Sequence, residues 1–131
     1  MRPRFPGRRI ALGAVAAVAI SRAWVYVFSS ADAGDPEGTV IGQVVAINGF
    51  HVHHAYFGAA LLALAVARLL ARPDAYTALA TGFGAGLVLD EVGLILSGFT
   101  SYWELQSVAT SAASLVLFVA GMVVLEARTA P

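Results

Sequence analysis

Four long apolar runs, separated by short polar or turn-forming stretches, dominate the chain. A helix needs about 20 mostly apolar residues to cross a hydrocarbon core of roughly 30 Å. The runs from about Arg9 to Phe28, Phe50 to Ala71, Ala75 to Ser97 and Tyr102 to Leu125 each meet that length. Their apolar residues fall all round the helix rather than along one stripe, as expected where lipid replaces water. The pattern predicts an all-α polytopic membrane protein, a four-transmembrane-helix bundle forming one domain over residues 1–131.

The breaks between the runs carry suitable turn chemistry. Arg72-Pro73-Asp74 ends the second span, because proline cannot continue a helical hydrogen-bond ladder, and it offers Asp74 as N-cap of the third. Ser97-Gly98 reads as a C-terminal stop. The segment Thr39 to Gly49 is apolar but too short to span, so it is expected to lie along the outer interface, with Asn48-Gly49 as a break before the second span. No internal repeat is evident.

Composition sharpens the class. Only 12% of residues are charged, about half the share of an average soluble domain. Eight basic and eight acidic residues leave no net charge, hence no basic field for nucleic acid. Without cysteine there is no disulfide framework, thiolate metal site or cysteine nucleophile.

All the basic residues are arginine. Arg2, Arg4, Arg8 and Arg9 precede the first span, Arg68 and Arg72 end the second, and Arg128 follows the fourth, all on one side of a four-pass chain. The opposite loop carries Asp32, Asp35 and Glu37. The positive-inside rule therefore predicts a cell-membrane protein with both termini cytoplasmic. A cleaved signal peptide is the competing reading, since Arg8-Arg9, an apolar run and Ala31-Asp32-Ala33 imitate its order. Against it, the run is long for such a peptide and Arg22 interrupts it.

At 1.5 Å per residue, Arg22, Asp90, Glu91, the histidines at 51, 53 and 54, and Glu104 all fall in one outer layer. Trp24, Tyr26, Tyr56, Tyr102 and Trp103 share it, as an interfacial aromatic belt would. An ionised side chain in hydrocarbon costs at least about 2.5–3.5 kcal/mol on insertion scales, so such groups turn inward and pair. Arg22 with Asp90 or Glu91 is the natural pair. Gly82, Gly86, Asp90, Gly93 and Ser97 recur at helical spacing, a small-residue face that a neighbouring helix can approach closely. Glu91 lies about 100° away, with Gly84, Val88 and Ile95. The glycine run resembles a phosphate loop only in composition, because no strand precedes it and no lysine follows. Ser101-Tyr102-Trp103-Glu104 fits a capping box, while Glu104, Ser107, Ser111 and Ser114 form a polar stripe down the fourth span.

His51-Val52-His53-His54 puts three metal-capable imidazoles into four residues. On a continuous helix His51 and His54 share a face. With Asp90 they would supply ligands for zinc or iron, and Glu91 would act as a further ligand or general base on a metal-activated water. Arg22 would clamp an anion or balance charge, with His53 and Glu104 completing the polar cluster. The opposing reading has the histidines bonding headgroups, waters or carboxylates, without metal. Haem held within one chain is disfavoured, because one short stretch cannot reach both faces, whereas haem shared between chains stays open. A pore is disfavoured because Leu61 to Val66 and Leu115 to Val119 carry no polar group.

His51-x-His53-His54 followed by Gly82-x-Gly84-x-Gly86-Leu87-x-x-Asp90-Glu91 resembles motifs of small prokaryotic integral membrane proteins. The resemblance covers the second and third spans. It implies a shared membrane fold and a pairing of the histidine and acidic motifs, supplies no activity, and does not reach Arg22 or Glu104. Two functions stay open: a divalent-metal-binding protein or metal-dependent enzyme on a lipid or interfacial substrate, and a noncatalytic structural or accessory subunit. The expected partners are the lipid bilayer and either a second copy or another membrane protein.

Overall fold

The computed structural model describes residues 5–31, 45–47, 50–96, 103 and 105–130, with side-chain surroundings for all of these but 27–31, 45–47 and 50–52. The chain folds as an all-α four-helix bundle: α1 (Gly7–Ala31), a short hairpin of β1 (Val45–Ile47) and β2 (Phe50–Val52), then α2 (His54–Ala71), α3 (Ala75–Leu96) and α4 (Leu105–Arg128). All four helices are long and apolar enough to cross a membrane.

The second helix starts later than its apolar run suggests. Phe50–Val52 is extended and pairs antiparallel with Val45–Ile47, in the register Val45 with Val52 and Ile47 with Phe50. His51 therefore lies in β2 and does not share a helical face with His54. The β-branched and aromatic residues flanking Asn48-Gly49 give a hairpin signal, stronger than the break assigned to that dipeptide. Asn48-Gly49 itself, Ser97-Gly98, the acidic loop of Asp32, Asp35 and Glu37, Tyr102, and the capping box of Ser101 and Glu104 lie outside the described residues.

Helix α3 is the hub. It packs against α1, α2 and α4, and α1 also packs against α4. Lipid tails are as apolar as leucine, so helices associate through close packing and polar contacts, and small residues permit both. The small face of α3 divides between neighbours. Gly82 and Gly86 admit the α1 backbone at Ile10 and Ala14, whereas Gly93 admits α4 at Ser107, where an added Cβ would come within 2.8 Å of the Ser107 Cα. On the flank that also holds Glu91, a Cβ on Gly84 would lie 2.7 Å from the Leu62 amide nitrogen and 2.8 Å from the Gly58 carbonyl oxygen of α2. Helix α1 answers with its own small stripe, since Ile10, Ala14, Ala17 and Ser21 are all buried.

Carboxylates finish three helix starts. Asp74 is the local cap of α3: its Oδ1 accepts the Thr77 amide and its Oδ2 the Thr77 hydroxyl, both at 2.8 Å. At the same end of the bundle Glu126 of α4 accepts the Arg8 amide, in the first turn of α1, at 2.5 Å. Glu91 does the equivalent for α2. An N-terminal turn leaves amide donors without intrahelical partners and carries partial positive charge, so an anion there is favourable.

Candidate functional site

Asp90 and Glu91 are consecutive on α3, so their side chains leave the helix about 100° apart. That divergence sends Asp90 towards α1 and Glu91 towards α2. Asp90 is 0% exposed and Glu91 3%, depths at which a carboxylate needs charge or hydrogen-bond compensation.

The Asp90 carboxylate receives it from α1 and α2, and the Asp90 backbone is bonded from α4. Its Oδ1 accepts from Arg22 Nε of α1 at 2.5 Å. Its Oδ2 accepts from the Ser21 hydroxyl at 2.6 Å and sits 3.1 Å from His54 Nε2 of α2. Its backbone carbonyl accepts from an Arg22 terminal nitrogen at 3.2 Å and from the Ser111 hydroxyl of α4 at 2.6 Å. The expected Arg22–Asp90 pair is thus present and mostly buried, with the arginine side chain 15% exposed.

Glu91 holds the start of α2. Its Oε2 accepts the Ala55 amide at 3.1 Å, which matters because the N-cap residue His53 makes no side-chain capping bond. Its Oε1 lies 3.2 Å from His53 Nδ1 and 3.1 Å from His54 Nδ1. His54 is therefore wedged between two carboxylates, one against each ring nitrogen. A neutral imidazole carries one N–H. Two favourable contacts need a second proton, on the ring or on a carboxylate.

An aromatic rim covers this cluster. The Arg22 guanidinium carbon lies 5.5 Å from the centre of the Trp103 ring, Tyr26 meets Trp103 edge-on at 6.3 Å, and Tyr56 meets His53 edge-on at 6.1 Å. A cation over an indole face gains electrostatically, and more so when desolvated.

The structure brings together Arg22, His53, His54, Asp90 and Glu91. The shared helical face expected for His51 and His54 is not formed, because His51 lies in β2; the His51 side chain and Glu104 lie outside the described residues. Among the described residues no group of three or more His, Asp or Glu side chains is arranged to hold a metal ion. Of the serine stripe, Ser107 and Ser111 are buried; Ser111 bonds across to α3, while the Ser107 hydroxyl makes no hydrogen bond among the described residues.

Two participants escape the sequence argument. Ser21 was visible only as the last member of the Ile10, Ala14, Ala17 and Ser21 ladder, which places it beside Gly86 and Asp90. Glu126 is a lone acid near the chain end whose partner lies 118 positions away, and no local pattern announces it. No protein-family model, curated protein or solved structure matches this chain.

Proposed function

We propose that this chain is a noncatalytic structural or accessory protein of the cell membrane, with both termini cytoplasmic, whose outward-side polar cluster fixes the packing of its helices. One observation carries the reading: all four carboxylate oxygens of Asp90 and Glu91 already face protein partners, drawn from Ser21, Arg22, His53, His54 and the Ala55 amide. A divalent zinc or iron ion, or a water awaiting deprotonation by Glu91, would have to share these oxygens with the arginine, serine, amide and imidazole groups already placed against them. The orientation rests on seven arginines at one end against Asp32, Asp35 and Glu37 at the other. Exposed aliphatic side chains such as Leu64 and Leu70 of α2 and Val116 and Leu117 of α4 suit lipid or a partner helix.

The test is elemental analysis of the untagged, full-length protein beside its His54→Ala and Asp90→Ala variants, with thermal unfolding followed before and after chelator. The expected result is sub-stoichiometric metal in all three and a melting temperature indifferent to chelation. Stoichiometric zinc or iron in the parent protein, lost in folded variants, would establish the metal-binding alternative instead.

A further inference from the structure

We infer that the end of the bundle opposite the polar cluster carries a binding site for an anionic phospholipid, with its acyl chain between α1 and α2 and its phosphate among the flanking arginines. This goes beyond the packing role proposed above and concerns different residues.

Helices α1 and α2 both lean on α3 and leave a groove between them. Leu12, Gly13 and Ala16 of α1, Leu61 of α2, and Leu79, Ala80 and Phe83 of α3 line it. Its volume is about 630 Å³, within the range of small-molecule sites, and its wall is almost wholly apolar. Such a wall offers a polar ligand little and a hydrocarbon chain an apolar surface to lie against.

Charge at the mouth selects among lipids. Residues four and seven apart stack on one helix face. By that spacing Arg9 lies below Gly13 and Ala16, Arg68 lies on the stripe of Leu61, and Tyr76 lies below Ala80 and Phe83. All three are exposed. Helices α1 and α3 begin at this end and α2 finishes there, so the three stripes run out together. At 1.5 Å per residue, Leu61 sits about 10 Å from Arg68 and Phe83 about 10 Å from Tyr76 along the axes. A headgroup at the arginines would therefore place its upper acyl segment within the groove. Two counter-charges lie at this end, Asp74 at 3.9 Å from an Arg68 terminal nitrogen and Glu126 at 4.0 Å from Arg8 Nε; Arg9 and Arg72 keep the rim positive. Basic residues at a membrane surface favour anionic lipid, so the rim should prefer it by about fivefold or more.

Native mass spectrometry of the full-length protein in detergent, titrated with dioleoyl phosphatidylglycerol or dioleoyl phosphatidylcholine, reads the site directly. One phosphatidylglycerol should be retained at least about fivefold better than phosphatidylcholine. The Arg9→Gln/Arg68→Gln variant changes only exposed side chains and should reduce the preference for phosphatidylglycerol at least about twofold, Arg72 retaining the rest. Ala80→Leu fills the groove and should reduce retention of both. Equal retention of the two lipids by the parent protein, or undiminished phosphatidylglycerol in the arginine variant, overturns the proposal. So does a dimer that Ala80→Leu disperses while lipid binding is unchanged, because a second copy would then occupy the groove.

Discussion

Asp90 of α3 and Ser111 of α4 are joined through the backbone: the serine hydroxyl donates to the Asp90 carbonyl oxygen at 2.6 Å. Meanwhile the Asp90 carboxylate takes Ser21 and Arg22 from α1 and touches His54 of α2. One residue thus ties all four helices together, which is the basis for treating the cluster as a unit.

The Arg22–Asp90 pair tests that unit. Breaking a buried pair by removing one partner typically costs about 3–5 kcal/mol, because the other charge is left uncompensated, whereas replacing both costs far less. Arg22→Met and Asp90→Asn should each lower the unfolding midpoint sharply. The double variant should recover a substantial part of the loss. Additive losses in a double-mutant cycle would show that the two residues act separately.

Glu91 is expected to act as a remote helix cap. Glu91→Gln keeps an acceptor for the Ala55 amide but removes the charge opposite the start of α2, a loss of about 1 kcal/mol. Glu91→Ala also strands the amide and should cost roughly 1–3 kcal/mol. Thermal unfolding should rank parent, Gln and Ala in that order, with early hydrogen exchange at the first turn of α2. A Glu91→Ala variant as stable as the parent would refute the capping role.

Close packing makes a contrasting prediction for two glycines. A Cβ on Gly86 would run into the Ala14 backbone and the Ala17 side chain, whereas a Cβ on Gly121 would meet nothing within 4 Å. Gly86→Ala should force α1 away from α3 and strongly destabilise the protein. Gly121→Ala should be neutral or gain roughly 0.5–1 kcal/mol from better helix propensity. Equal effects at the two positions would contradict the packing described.

Asp74 supplies a pH-dependent term. The Thr77 amide, then the Thr77 hydroxyl, hold its carboxyl below the ordinary value of 3.8 against an opposing effect of burial, with a lesser contribution from the charge of Arg68. A carboxylate lowered on folding stabilises above its unfolded value and loses that contribution as pH falls through the folded one. The melting temperature of Asp74→Ala should therefore lie below that of the parent at pH 7, and the gap should close below about pH 4. Asp74→Ser should keep part of the cap without this pH dependence. A gap constant from pH 7 to pH 3 would rule out the charged cap.

Much of the architecture was legible because a bilayer imposes it. Chain within hydrocarbon must satisfy its own backbone donors and acceptors, so apolar length alone located four helices, and Pro73-Asp74 marked the corner between α2 and α3. The same cost argument paired Arg22 with Asp90 or Glu91, and the structure selects Asp90. The histidine motif was read less well. Apolar length could not separate helix from strand over Phe50–Val52, so the helical face expected to be shared by His51 and His54 is not formed.

Sequence alone determined which groups must be compensated: two adjacent acids, one arginine and a histidine stretch, all at one depth in three spans. Only tertiary structure decided the partners, because that choice depends on helix rotation and on which small residue yields to which neighbour. Gly82 and Gly86 let α1 deliver Ser21 and Arg22 to Asp90, and Gly84 lets α2 present the Ala55 amide and its histidines to Glu91. Glu126 illustrates the same point, since its role at the start of α1 exists only once α1 and α4 lie side by side. Depth follows from a one-dimensional count along the chain, whereas contact requires the azimuth of every helix, which packing sets.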